Sequence, residues 1–153
     1  TSTITFSANI RYETENNYDG MQIEFSTDNG ASWTVLGKKE TGWYNNKNVR
    51  AIGSGADGWS GSNTNWEVLS TDLPSALQGN LNVSFRFHFV SDYSENDIGV
   101  AFDDITLSEN GTDFYTADFN SSDNGWKNVP KDAAGSWQYS TTDFLTSDGG
   151  HWD

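Results

Sequence analysis

The sequence contains no cysteine, which removes disulfides, thiol nucleophiles and cysteine-bound zinc from consideration. Its two histidines, His88 and His151, form neither an H-E-x-x-H pattern nor any other zinc spacing. No serine sits in a G-x-S-x-G turn of the kind that presents a nucleophile. Cations are scarce: eight Lys and Arg stand against 22 Asp and Glu, a net charge of −14. A field of that sign offers phosphates no positive face, so nucleic acid and anionic membrane are not expected partners. No run approaches the roughly 20 apolar residues of a membrane span, so membrane insertion is not expected either. No signal-peptide pattern is present, and the chain reads as a mature segment of an exported protein. Carboxylate pairs are plentiful, but in so acidic a chain they are weak grounds for glycosidase or lyase chemistry. His88 with Arg86 is the one arrangement resembling a proton-abstracting site. The expectation is a protein that is not an enzyme.

What the chain does have is aromatic side chains. They make up 14% of its 153 residues, within a hydrophobic fraction of 34%, so Trp, Phe and Tyr supply much of the core volume. The dominant period is two. Ile4, Phe6, Ala8, Ile10 and Tyr12 alternate with polar residues, as do Met21, Ile23 and Phe25. Asp28-Asn29-Gly30 offers residues that tolerate positive φ in a tight hairpin, and Trp33 and Val35 begin the return strand. Leu81 to Phe89 alternates most cleanly, Gly99 to Leu107 is the next strand, and Tyr115 to Phe119 and Ser136 to Tyr139 read as shorter ones. Leu73 to Leu77 is the only helical turn expected, with Asp72 capping and Pro74 in first position. Low Leu and Ala content argues against more helix. Short strands separated by Gly, Asn and Asp turns indicate an all-β fold, a two-sheet antiparallel jelly-roll sandwich, as one domain over residues 1–153.

Residues Asp19 to Leu107 carry a resemblance. Asp19-Gly20 followed by Ile23-Glu24-Phe25-Ser26-Thr27-Asp28-Asn29-Gly30-Ala31-Ser32-Trp33 is similar to the first hairpin of MAM-like jelly-roll domains. Such domains accompany secreted bacterial peptidases of the immune-inhibitor type and secreted glycan-degrading enzymes. Trp59-Ser60-Gly61-Ser62 with Trp66, Asp72-Leu73 with Gly79 leading into Phe85-Arg86-Phe87, and Gly99-Val100-Ala101-Phe102-Asp103-Asp104-Ile105 resemble later stretches of the same pattern, in the same order. The resemblance implies that Trp33, Trp59 and Trp66 are framework residues. The opening strand of such domains has its counterpart here at the end of the chain: Asp118-Phe119-Asn120, Gly125-Trp126, Ser136-Trp137 and Gly150-His151-Trp152. Residues 111–153 therefore either complete the sheets of a circularly permuted domain or begin a following repeat. A tail so rich in aromatics, among them Trp126, Trp137 and Trp152, favours the first.

Asp103 and Asp104 fall where the apolar alternation of their strand breaks, and adjacent carboxylates repel unless a cation or donors lie between them. The resemblance implies that Glu15 and Asp19 approach that strand, so Glu15, Asp19, Asp103 and Asp104 are the candidate ligands of a structural calcium, whose oxygen preference they suit. The alternative is that the Asp pair accepts hydrogen bonds from backbone and arginine. For a ligand surface, Trp43 and Tyr44 stand amid Asn46, Lys47 and Arg50, and if exposed would form a stacking platform for sugar rings. The competing expectation is that they face inward. A second candidate is the polar face of the strands, with Asn9, Arg11, Gln22, Glu24, Arg86 and His88. The leading functional expectation is a secreted, non-catalytic carbohydrate-binding module whose partners are a polysaccharide and a catalytic domain of the same parent chain. An accessory domain of a secreted peptidase and an adhesive cell-surface repeat are the alternatives.

Overall fold

The computed structural model describes residues 2–95, 97–127 and 129. The expected strand Ser136–Tyr139, and Trp137, His151 and Trp152, lie outside them. The chain forms β1 (Ile4–Glu13), β2 (Gly20–Ser26), β3 (Thr34–Val35), β4 (Ser62–Asp72), β5 (Ser84–Val90), β6 (Gly99–Glu109) and β7 (Thr112–Ala117). These make a four-stranded sheet, β4-β1-β6-β7, packed on a three-stranded sheet, β3-β2-β5, with every pairing antiparallel. The fold is an all-β sandwich. No helix among the described residues is long and apolar enough to cross a membrane.

The core arises from the alternation. Phe6, Ala8, Ile10 and Tyr12 of β1 bury one face of the larger sheet, and Met21 and Ile23 of β2 meet them from the smaller one. Phe85, Phe87 and Phe89 of β5 pack against the same cluster, and Phe6 meets Phe85 at 5.2 Å between ring centroids. β2 is buried on both faces, because Gln22 and Glu24 point away from the core yet lie covered. Gln22 is held there by donating from Nε2 to the Asp57 carbonyl. β7 comes from the segment of disputed role and pairs with β6. Beyond it, Trp126 packs against Phe87 and Phe102 and donates its indole N–H to Tyr115 Oη at 2.8 Å.

Several expectations change, among them β7, which runs Thr112–Ala117 rather than Tyr115–Phe119. The strand expected from Leu81 begins at Ser84, and Leu81 is 97% exposed. Asp72 does not cap a helical turn, because β4 continues through it and its carboxylate accepts from Thr5 Oγ1 at 3.0 Å. The expected helical turn is instead a short 3-10 turn, Ser75–Leu77, with Pro74 just ahead of it and Leu77 buried, and it is not the only one, since Lys39–Thr41 forms a second. The eleven-residue β4 has no counterpart among the expected strands. It is an edge strand with little burial on either face, so its apolar residues show no clean alternation.

Candidate functional site

The interior of the four-stranded sheet uses Phe6, Ala8, Ile10 and Tyr12, which leaves Thr5, Ser7, Asn9 and Arg11 of β1 on the outer face. Residues paired across strands share a face, so the register fixes what surrounds them. Ser70, Ser7, Thr106 and Thr116 form a row of hydroxyls across all four strands. The next row holds Val68, Asn9 and Asp103, and on the other side lie Asp72, Thr5, Ser108 and Asp113. Beyond Asn9, the β1–β4 pairing jumps from Ile10 opposite Glu67 to Tyr12 opposite Asn63. Thr64, Asn65 and Trp66 thus stand against the single residue Arg11. Asn63 Nδ2 donates to Glu67 Oε2 at 2.7 Å across the base of this bulge.

The bulge sets Trp66 over the Arg11 guanidinium, 4.6 Å from Cζ to the ring centroid. Arg11 is buried and burial lowers its pKa from the ordinary value, while Trp66 remains 44% exposed and Val68, two residues on, 70%. The framework position implied for Trp66 is therefore corrected: its ring belongs to the surface. Trp59 is core as expected, and Trp33 is half-buried beneath Arg86 at 4.4 Å.

Trp43 and Tyr44 do not form a platform. They are only 5% and 3% exposed and meet Trp59 edge to face at 5.2 and 4.6 Å. Tyr44 Oη donates to the Leu36 carbonyl at 2.8 Å and lies 3.2 Å from the Ile23 amide N–H, which donates to it. Burial pushes the phenol pKa well up. A ring without an accessible face cannot stack on a ligand, so the inward alternative holds for both.

The remaining candidates are divided among separate places. Arg86 and His88 lie on the outer face of the three-stranded sheet, opposite Glu24 and Gln22. The Glu24 carboxylate accepts from Arg86 Nε and lies 3.6 Å from His88 Nδ1. Burial alone would raise the Glu24 pKa, but His88 and Arg86 outweigh it and the net shift is downward. Arg50 lies over the Tyr18 ring at 4.6 Å and donates to its hydroxyl at 2.8 Å. Asn46 Nδ2 donates to Asn17 Oδ1 at 2.8 Å, and its backbone pairs with Gly58.

The four proposed metal ligands are also divided. β2 pairs with β5 so that Gly20 faces Val90, which brings the turn before β2 against the chain just after β5. Glu15, Asp19 and Asp92 meet there with a carboxylate oxygen of each within 4.8 Å of the others. The Asp92 amide donates to the buried Asp19 at 2.8 Å, and Ser94 Oγ donates to Glu15 at 3.0 Å. Burial pushes the Asp19 pKa up; the hydrogen bond from the Asp92 amide opposes the rise, and the carboxylates of Asp92 and Glu15 add to it. Sequence reasoning does not find Asp92, because only the strand register brings it near. Asp103 and Asp104 lie elsewhere, in β6 opposite Asn9, four residues along from the Gly99–Glu13 pair. Asn9 Nδ2 donates to Asp104 Oδ2 at 2.8 Å. Burial raises the Asp103 pKa, and the carboxylates of Asp104 and Asp118 raise it further.

The outer face thus presents an exposed indole, a band of hydroxyls and an amide on one side of the sheet, a combination able to stack on a ring and exchange hydrogen bonds with its substituents. No protein-family model, curated protein or solved structure matches this chain.

Proposed function

We propose that the chain is a non-catalytic carbohydrate-binding module of a secreted polysaccharide-degrading enzyme, related to MAM-like jelly-roll domains. Its ligand surface is the outer face of the β4-β1-β6-β7 sheet. The observation that carries this reading is Trp66, held over Arg11 at 4.6 Å yet 44% exposed, on the same sheet face as a cross-strand row of Ser and Thr hydroxyls four residues along the strands. An exposed indole fixed by a buried guanidinium is pre-ordered, so little side-chain entropy is lost when a sugar ring stacks on it. The test is affinity gel electrophoresis against neutral and charged polysaccharides. One polymer should retard the protein, and Trp66→Ala should abolish the retardation while the protein stays folded, losing about 0.5–2 kcal/mol of stability with the ring–guanidinium contact. Retardation by no polymer sinks the reading, and undiminished retardation of Trp66→Ala moves the site elsewhere.

We further propose that Glu15, Asp19 and Asp92 hold a structural calcium, with Ser94 at the rim. Oxygen donors and a partly buried cluster of carboxylates suit that ion, which would pin the β1–β2 turn to the chain after β5. A bound ion stabilises the folded state by about 2.7 kcal/mol at a hundredfold excess over its dissociation constant. Melting should therefore occur higher in calcium than in EDTA, with the difference lost in Asp19→Asn, which keeps an acceptor for the Asp92 amide. Superimposable melting curves in calcium and EDTA would remove the metal.

A further inference from the structure

The outer face of the four-stranded sheet carries, among the described residues, exposed charge of one sign. Among the described residues, Asp72, Asp103, Asp104 and Asp113 lie on the outer side of the four-stranded sheet, and that sheet's only Lys or Arg is the buried Arg11. Lys38, Lys39, Lys47 and Arg50 gather instead in the loop between β3 and β4, and Arg86 belongs to the other sheet. The acids facing out are supported by neutral donors, Thr5 for Asp72 and Asn9 for Asp104. These satisfy lone pairs and cancel no charge. Asp103 is half-buried with Asp104 and Asp118 near it, so its negative charge is incompletely solvated.

The carboxylates are also dispersed. Asp72 shares the row of Thr5 and Asp103 that of Asn9, which places them roughly 13 Å apart along the strand direction at about 3.3 Å per residue. The one acidic group at ion-holding spacing among the described residues is Glu15, Asp19 and Asp92. Charge placed at two rows so far apart matches an extended ligand with repeated positive groups rather than a single ion. A uronate or sulfated polymer would be repelled, and a neutral polymer would gain hydroxyl hydrogen bonds from these acids but no charge pairing.

We propose that this face binds a glycan carrying free amino groups, a polymer of partly or wholly deacetylated amino sugars. The inference rests on the glycan reading above and names its ligand class. The sugar rings stack on Trp66 and meet the hydroxyl row, while the ammonium groups make charge-assisted hydrogen bonds to Asp72, Asp103 and Asp104.

The test is calorimetric titration of the whole chain at a pH where the sugar amines are protonated and the carboxylates ionised. The probes are a glucosamine oligomer, its fully N-acetylated counterpart, a glucose oligomer and an oligolysine of equal length. The glucosamine oligomer should bind about tenfold or more tighter than either uncharged sugar, and this margin should shrink with added salt. The double variant Asp103→Asn, Asp104→Asn should lose the margin and keep its affinity for the uncharged sugars. Asparagine is suitable at both positions, because it retains the acceptor for the Asp104 amide and tolerates the positive φ of 46° at position 104. Equal affinity for the acetylated or glucose oligomer would overturn the amino-sugar inference and leave the glycan reading standing. Oligolysine binding as tightly as the amino sugar would overturn the inference in favour of a basic peptide. No binding of any sugar oligomer would overturn both.

Discussion

Phe87 of β5 and Phe102 of β6 lie ring on ring, with centroids 3.9 Å apart and planes 4° from parallel. They come from different sheets, so this stack is a direct link between the two layers. Phe6 and Trp126 pack against Phe87, and Phe119 and Trp126 against Phe102. Truncating either ring to alanine should cost about 3 kcal/mol. The double variant should fall short of the sum by about 0.5–1.5 kcal/mol, the coupling of an aromatic pair beyond its burial. Denaturant titration of the four proteins gives the cycle, and strict additivity would mean that the rings act independently.

Tyr44 is expected to be a stability residue alone. Tyr44→Phe leaves the Leu36 carbonyl and the Ile23 amide without their shared partner in a buried place and should cost about 1–3 kcal/mol. Sugar binding at ambient temperature should be unchanged. A variant that folds as well as the parent but binds more weakly would contradict the burial described for this ring.

Gly37 has φ +74°, and a methyl group there would come within 2.4 Å of Trp43 Cδ1. Gly37→Ala meets both a backbone penalty and an immovable indole, for a destabilisation of about 1–3 kcal/mol. Thermal melting measures it. An unchanged midpoint would show that the Trp43–Tyr44–Trp59 cluster can shift to admit the methyl.

The hairpin between β2 and β3 should respond to acid. Asp28 accepts from Ser32 Oγ at 2.6 Å, from the Ser32 amide at 2.8 Å and from Ser26 Oγ at 2.7 Å, and these bonds hold its pKa down to about 2. A depressed carboxylate favours the folded hairpin above its unfolded pKa of about 3.9, and that contribution drains away as the pH falls toward the folded value. The Ser32 amide resonance should therefore titrate with an apparent pKa near the folded value, and Asp28→Asn should flatten the titration. A midpoint near the ordinary carboxylate value would show that the bonds do not persist in solution.

Period-two alternation is enough to place β1, β2, β5 and β6, because each turns one apolar face to the core. The turn at Asp28-Asn29-Gly30 is legible for a local reason: Asn29 and Gly30 take φ of 58° and 84°, which few other residues accept, although the loop from Thr27 to Trp33 is longer than the tight hairpin expected and Trp33 lies ahead of β3. β4 is invisible in the sequence because little of either of its faces is buried and a bulge interrupts its period. The functional surface is the least legible part. Trp66 and Trp43 are chemically alike in the sequence, and only a bulge opposite Arg11 and a covering loop decide which one meets solvent. Asp92 joins Glu15 and Asp19 through a pairing of strands some 70 residues apart, 20 against 90, and no local pattern encodes such a meeting.

The break in alternation at Asp103-Asp104 has a purely geometric meaning. Ser7 faces Thr106 while Asn9 faces Asp103, so β6 spends one residue more than β1 over that interval, and Asp104 takes it up with φ 46°. The extra residue acts as a phase shifter: it lets Phe102 and Ile105, three apart, point into the same core. Without it, everything downstream would be inverted. Ile105 and Leu107 would turn to water, Thr106 and Ser108 to the interior, and the hydroxyl row on the open face would vanish along with the packing beneath it. One residue in a left-handed conformation keeps the inside and the outside of this sheet in step.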